Sequence, residues 1–151
     1  MKFEEVQLIY RNRTPASNRP NVKCPKDAYD ILLKNWDMNL IGLIEECKVL
    51  LLDRSLKLMS VASVSKGGMS GTIVDPKVIF SMALKRRASS IILAHNHPSG
   101  NLEPSDADIG LTRNFMAAGK VLQIPLQDHI IITKEGYNSI ISDGYILAND
   151  R

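Results

Sequence analysis

Two histidines separated by one residue, His95 and His97, open the stretch HNHPSGNLEPSDAD, which closes on Ser105 and Asp108. These are side chains that can hold a borderline metal ion. Along an extended chain side chains alternate sides, so His95 and His97 share a face and Asn96 takes the other. Zinc accepts neutral imidazole nitrogen and carboxylate oxygen, and a hydrolytic site commonly uses three protein ligands and leaves a fourth position to water. Asp108 is the candidate third ligand, because PSGNLEPS turns the chain back and the first turn of a following helix can aim a carboxylate at the strand end. Ser105, three residues earlier, lies near the same helical face, where its hydroxyl could steady a developing oxyanion. A plainer role competes with each. Ser-x-x-Asp at a helix start also resembles a capping box. One histidine at a strand end is commonly just a hydrogen-bonded polar residue. Two at this spacing, in a loop ending in a carboxylate, favour metal. The letters HNH also label a nuclease motif, but its residues are spread over a longer segment.

Hydrolysis at such a site needs a base to take a proton from water, and a glutamate is the natural choice. Glu45 and Glu46 begin an apolar strand. Alternation puts Glu45 with Cys47, Val49 and Leu51, and Glu46 with Lys48. A carboxylate on an apolar face is costly unless it has a partner or a task, which points to Glu45.

The elements that must position these groups are legible in outline. Phe3 to Tyr10 has the composition of a short strand, and RNRTPASNRPNVKCP reads as an irregular, mobile arm. PKDAYDILLKNW places Ala28, Ile31, Leu32 and Trp36 at helical spacing behind Pro25. LIEECKVLLLDRSLKLMSVASVS predicts a hairpin turning at DRS, followed by a Gly-rich loop, SKGGMSGT, that either turns or cradles a substrate chain. DPKVIFSMALKRRA predicts a helix with Asp75 as N-cap, Pro76 first, and Val78, Ile79, Met82 and Ala83 on one face. SSIILAHNH is a buried strand. PSDADIGLTRNFMAAGKVL is a helix presenting Ile109, Leu111, Phe115 and Met116, with Gly119 near its end. QDHIIITKEGYNSII supplies a strand and a Gly turn. Helices interrupt strands without a regular βαβ period, which predicts an α/β (mixed α+β) domain, a mixed β-sheet flanked by helices.

A chain of 151 residues, 44% apolar and 23% charged, suits one folded domain. The net charge of +3 is too mild to indicate nucleic acid by itself, and the clusters Arg11 to Arg13 and Lys85 to Arg87 read first as solvated surface. Cys24 and Cys47 lack CxxC spacing, so free thiols and a cytoplasmic location are expected. Nothing reads as a signal peptide or a membrane span.

Glu45, His95-x-His97, Ser105 and Asp108 together resemble the Glu…His-x-His…Ser-x-x-Asp pattern of the JAMM/MPN metalloprotease superfamily. AHNHPSGNLEPSDAD, with DHIII downstream, is similar to its bacterial RadC branch, and the likeness runs from about Asn39 to Gly144. The chain then divides into residues 1–38, an N-terminal strand, arm and helix, and 39–151, the RadC-like domain. The resemblance implies a cytidine-deaminase-like mixed sheet and zinc held by His95, His97, Asp108 and a water. It also implies Glu45 as general acid/base and Ser105 stabilising the tetrahedral intermediate. The substrate class would be a peptide or isopeptide bond, often at a protein tag. The branch name also suggests DNA repair, as an accessory protein whose metal is structural or vestigial. Longer members carry an N-terminal helix-hairpin-helix region that could contact DNA, whereas some forty residues precede the shared region here, which weakens a DNA role. A third reading is a module that binds a tag without cleaving it. Asp128 and His129 also occur in the branch's pattern. One of them could orient a ligand, but they read first as a pair satisfying the end of the sheet.

Overall fold

The computed structural model describes residues 14–67 and 74–146. Within them the chain runs α1 (Pro25–Lys34), β1 (Glu46–Leu52), β2 (Leu58–Lys66), α2 (Pro76–Arg86), β3 (Ser90–Asn96), α3 (Asp106–Leu122), β4 (Leu126–Ile132) and β5 (Tyr137–Ser139). The described strands form one sheet in the order β2-β1-β3-β4-β5. Only the β3/β4 pair is parallel, with α3 as its crossover; the other pairs are antiparallel. This is the mixed, helix-flanked sheet expected from the element pattern.

Both faces of the sheet are covered, and residue parity decides which side chain goes where. Leu50, Leu52, Ile92, Ala94, Ile130 and Ile132 pack against Ala28 and Leu32 of α1 and against Trp36. Cys47, Val49, Leu51, Ile91 and Leu93 pack against Ile79, Phe80 and Ala83 of α2 and Phe115 of α3. Central strands with no solvated face read as continuous apolar runs, as VLLL and IILA do. Glu46 and Lys48 therefore do not face water. Both are buried, with Lys48 Nζ 3.1 Å from Glu46 Oε1. The Ser63 hydroxyl donates to the same oxygen, and the ammonium lies 4.9 Å from the centre of the Trp36 ring. The pairing offsets the desolvation that either charge alone would suffer.

Local chemistry sets the helix ends. Asp75 accepts from the Lys77 N–H at 2.9 Å ahead of Pro76, as predicted for α2. The buried stripe there is Ile79, Phe80 and Ala83, and Val78 is 48% exposed. Each residue turns the helix by about 100°, which carries Val78 off the core face. Helix α3 continues past Gly119 to Leu122, and its left-handed C-cap is Gln123. Gly119 serves close packing: a Cβ there would lie 2.6 Å from the Ile124 carbonyl oxygen.

Where it is described, the arm is tied to the sheet. Val22 N–H donates to Leu56 O, Leu58 N–H donates to Pro20 O, and the nearly buried Arg19 pairs with Asp53 at 3.1 Å. These contacts fasten it to the β1–β2 turn. The strand expected at Phe3 to Tyr10, the Arg11 to Arg13 cluster and most of the Gly-rich loop lie outside the described residues. Among the described residues no helix is long and apolar enough to cross a membrane. Cys24 and Cys47 are unbonded, as expected.

Candidate metal centre

His95 is the penultimate residue of β3, with β1 on one side and β4 on the other, and His97 follows just beyond the strand. Alternation puts both rings on the α2/α3 side of the sheet, and the crossover brings the first turn of α3 back over them. His95 Nε2 and His97 Nε2 lie 3.0 Å apart. Asp108 Oδ1 is 3.1 Å from the first nitrogen, and Oδ2 is 3.6 Å from the second. Four donors about 2.0–2.1 Å from a zinc ion at tetrahedral corners stand about 3.3–3.4 Å from one another. The three side chains thus approach one point, with ligand atoms within 4.8 Å of one another, and together they form a cluster able to hold a metal ion.

The donor chemistry agrees. His97 Nδ1 is 2.7 Å from the Asn101 carbonyl oxygen, which can only accept, so this nitrogen carries the proton and Nε2 presents its lone pair to the cluster. The Asp108 carboxylate beside it draws the His97 pKa upward, against the effect of burial. Burial alone would raise the Asp108 carboxyl, but the imidazoles of His95 and His97 beside it hold it well below the usual carboxylate range. A carboxylate facing imidazole lone pairs calls for a cation between them, whether proton or metal.

Asp108 also answers the capping question, since its two oxygens take different tasks. Oδ2 accepts from the Ser105 N–H at 2.7 Å and the Ser105 hydroxyl at 2.6 Å, while Ser105 Oγ accepts from the Asp108 N–H. This is the capping box of α3. Oδ1 is left to face His95. The helix cap and the cluster thus share one residue, and the cap holds the carboxylate in place.

A cleft of about 370 Å3 brings Glu45, Cys47, Ser105 and the three clustered residues together. Glu45 precedes β1 and is only half-buried, so the burial argument that selected it does not hold; its neighbour Glu46 is the buried glutamate. Glu45 reaches the cleft through backbone placement instead. Asn96 is fully buried on the other face of β3, where its Oδ1 accepts from the Glu46 N–H at 2.7 Å. Its amide donates to the carbonyls of Ile41 and Ile44 at 2.7 and 2.9 Å. The residue between the two histidines thus holds the chain on both sides of Glu45. Sequence reasoning missed it, although a buried amide within an apolar strand must find partners.

Asp128 and His129 divide. Asp128 does satisfy the sheet end, accepting from the hydroxyls of Ser139 and Ser142 and the N–H groups of His129 and Ile141. Burial raises its pKa against these bonds. His129 does not share that role. It is fully buried beside the cluster, its Nε2 2.8 Å from His95 Nδ1. The signal available in the sequence was a histidine amid the buried run HIII, on the parity that β4 shares with His95.

A family model described as RadC-like JAB domain matches residues 22–145, which includes α1 as well as the sheet. A UPF0758 protein of Flavobacterium johnsoniae is 43% identical over 121 residues, 79% of this chain and 51% of that protein. One from Salinibacter ruber is 37% identical over 147 residues, 95% of this chain and 60% of its own length. A third, from Porphyromonas gingivalis, is 45% identical over 103 residues, 68% and 45% of the two chains. The chain spans about half the length of the curated relatives it matches.

Proposed function

Because the chain belongs to the family of RadC-like JAB domains, we propose that it is a zinc-dependent hydrolase that cleaves a peptide or isopeptide bond. The observation that carries this reading is the convergence of His95, His97 and Asp108 in a cleft that Glu45 also lines. A zinc ion held there would polarise the scissile carbonyl and lower the pKa of a water to about 7. Glu45 takes the proton of the attacking water and delivers it to the leaving amine, which is work for a half-buried carboxylate lining the cleft. Ser105, whose hydroxyl now points at Asp108, turns toward the carbonyl oxygen as negative charge grows on it. His95, His97 and Asp108 would hold the ion, and the α3 cap would keep the Asp108 oxygens from rotating.

The accessory DNA-binding reading has less support. Arg86, one of the basic residues it would use, donates through Nε to Ser60 Oγ at 2.8 Å and through its terminal nitrogen to Met59 O at 3.0 Å. This guanidinium ties α2 to β2 and is not simply solvated.

Two measurements test the hydrolase. Zinc per chain is determined in purified protein and in His97→Ala, with about one ion expected in the first and a marked loss in the second. The zinc-loaded protein is then incubated with a mixture of peptides and isopeptide-linked conjugates in H2(18)O. New carboxyl termini carrying the heavy oxygen should appear, and Glu45→Gln should lower their rate by at least ~100-fold while keeping its zinc. Equal labelling by the two proteins, or none by either, refutes the proposal.

A further inference from the structure

Thr112 stands one helical turn beyond Asp108 on α3 and is fully buried. Its hydroxyl oxygen is 2.6 Å from the Asp108 carbonyl oxygen and 2.7 Å from His129 Nδ1. The carbonyl has no proton to give, so the single hydroxyl proton lies on that line and Oγ accepts from His129. His129 therefore carries its proton on Nδ1. A ring this buried, its nitrogens committed to a hydroxyl and another imidazole, is neutral, which leaves a lone pair on Nε2. The contact between His129 Nε2 and His95 Nδ1 at 2.8 Å then requires the proton to sit on His95 Nδ1. His95 Nε2 is left to face Asp108 Oδ1 at 3.1 Å. These contacts form a loop that starts at the backbone of one ligand candidate, passes through Thr112 and His129, and returns to that residue's carboxylate through another ligand candidate, His95.

We propose that Thr112 and His129 are positioning residues that impose this proton order, so that the α3 turn bearing Asp108 also fixes the metal-ready tautomer of His95. The inference rests on the metal-site reading above. Without the hydroxyl, His129 can reverse: it donates from Nε2 to His95 Nδ1, and His95 then carries a proton on Nε2, where the ion would sit. His97 has no such dependence, because a carbonyl fixes its tautomer directly.

The test uses zinc ion as the probe and needs no substrate. Competition against a chromophoric chelator should show Thr112→Val binding zinc 10- to 100-fold more weakly than wild type, the range expected when a ligand's hydrogen-bond partner is lost. Thr112→Ser restores the hydroxyl and should stay within about threefold of wild type. In the metal-free wild-type protein, imidazole nitrogen NMR should find His95 and His129 both protonated on Nδ1. Zinc binding by a folded Thr112→Val within threefold of wild type overturns the proposal, as does a wild-type His95 protonated on Nε2. If Thr112→Val fails to fold, the wild-type tautomers decide alone. If wild type takes up no zinc, the hydrolase reading falls, while the tautomers still judge this one.

Discussion

Asn96 shows how much a single amide can organise. It lies between two ligand candidates, faces away from both, and joins three backbone groups around Glu45. Asn96→Asp keeps the shape and the acceptor for the Glu46 N–H but removes both donors and sets a carboxylate against two carbonyl oxygens. We expect the variant to lose about 2–6 kcal/mol, since each of the two carbonyls left without its partner costs roughly 1–3. Urea denaturation measures this, and a loss under ~1 kcal/mol would show that the clamp is not needed for stability. Asn96 could not be placed from sequence because its partners are some fifty residues away, in a segment with no regular pattern. His95 and His97 could be, because strand alternation is a local rule.

At the scale of elements, the two glycines of α3 have opposite consequences. Gly110 has nothing within 4 Å of an added Cβ, so Gly110→Ala should stabilise by about 0.8–1 kcal/mol through helix propensity alone. Gly119→Ala gains the same propensity but drives a methyl to 2.6 Å from the Ile124 carbonyl oxygen. Backbone must move, and a net loss of about 1–2 kcal/mol is expected, the lower part of the range for overpacking. Thermal melts of the two variants should shift in opposite directions; a stabilised Gly119→Ala would mean the α3–β4 corner can relax. The β1–β2 turn offers a pH test. Burial alone would raise the Asp53 pKa, but the Lys57 and Ser55 N–H groups and the Arg19 guanidinium outweigh it and hold it below its ordinary value of 3.8. A depressed carboxyl stabilises the fold in full above its unfolded pKa, and that stabilisation is lost as the pH falls through the folded value. Asp53→Asn should therefore be less stable than wild type near neutral pH, and the gap should close as the pH is taken below 3.8. A gap that does not change with pH would assign the loss to hydrogen bonding alone.

For the whole molecule, the cluster lies at the carboxyl ends of the parallel strands β3 and β4, where a crossover helix begins, a common place for a site in an α/β sheet. Its members come from β3, the loop after it and α3, while His129 comes from β4, so an ion there would pin three elements together. Zinc should therefore raise the melting temperature in a concentration-dependent way, by the equivalent of about 2.7 kcal/mol at a hundred times its Kd. A chelator should reverse the gain, and His97→Ala should show little of it. Identical melting of wild type with and without zinc would mean that the site does not hold the ion in the folded state.

The sequence by itself determined what local rules govern: the shared face of His95 and His97, the caps at Asp75 and Ser105, the apolar runs of β1 and β3, and the pattern that marks the family. Tertiary structure decided what depends on distant partners. It placed Glu45 by way of Asn96, buried Glu46 with Lys48, turned Val78 outward, fastened the arm through Arg19, and brought His129 against His95. The physical reason is range: alternation, helical period and capping act over a few residues, whereas hydrogen-bond partners and face coverage are fixed only when strands take their register and helices cover the sheet.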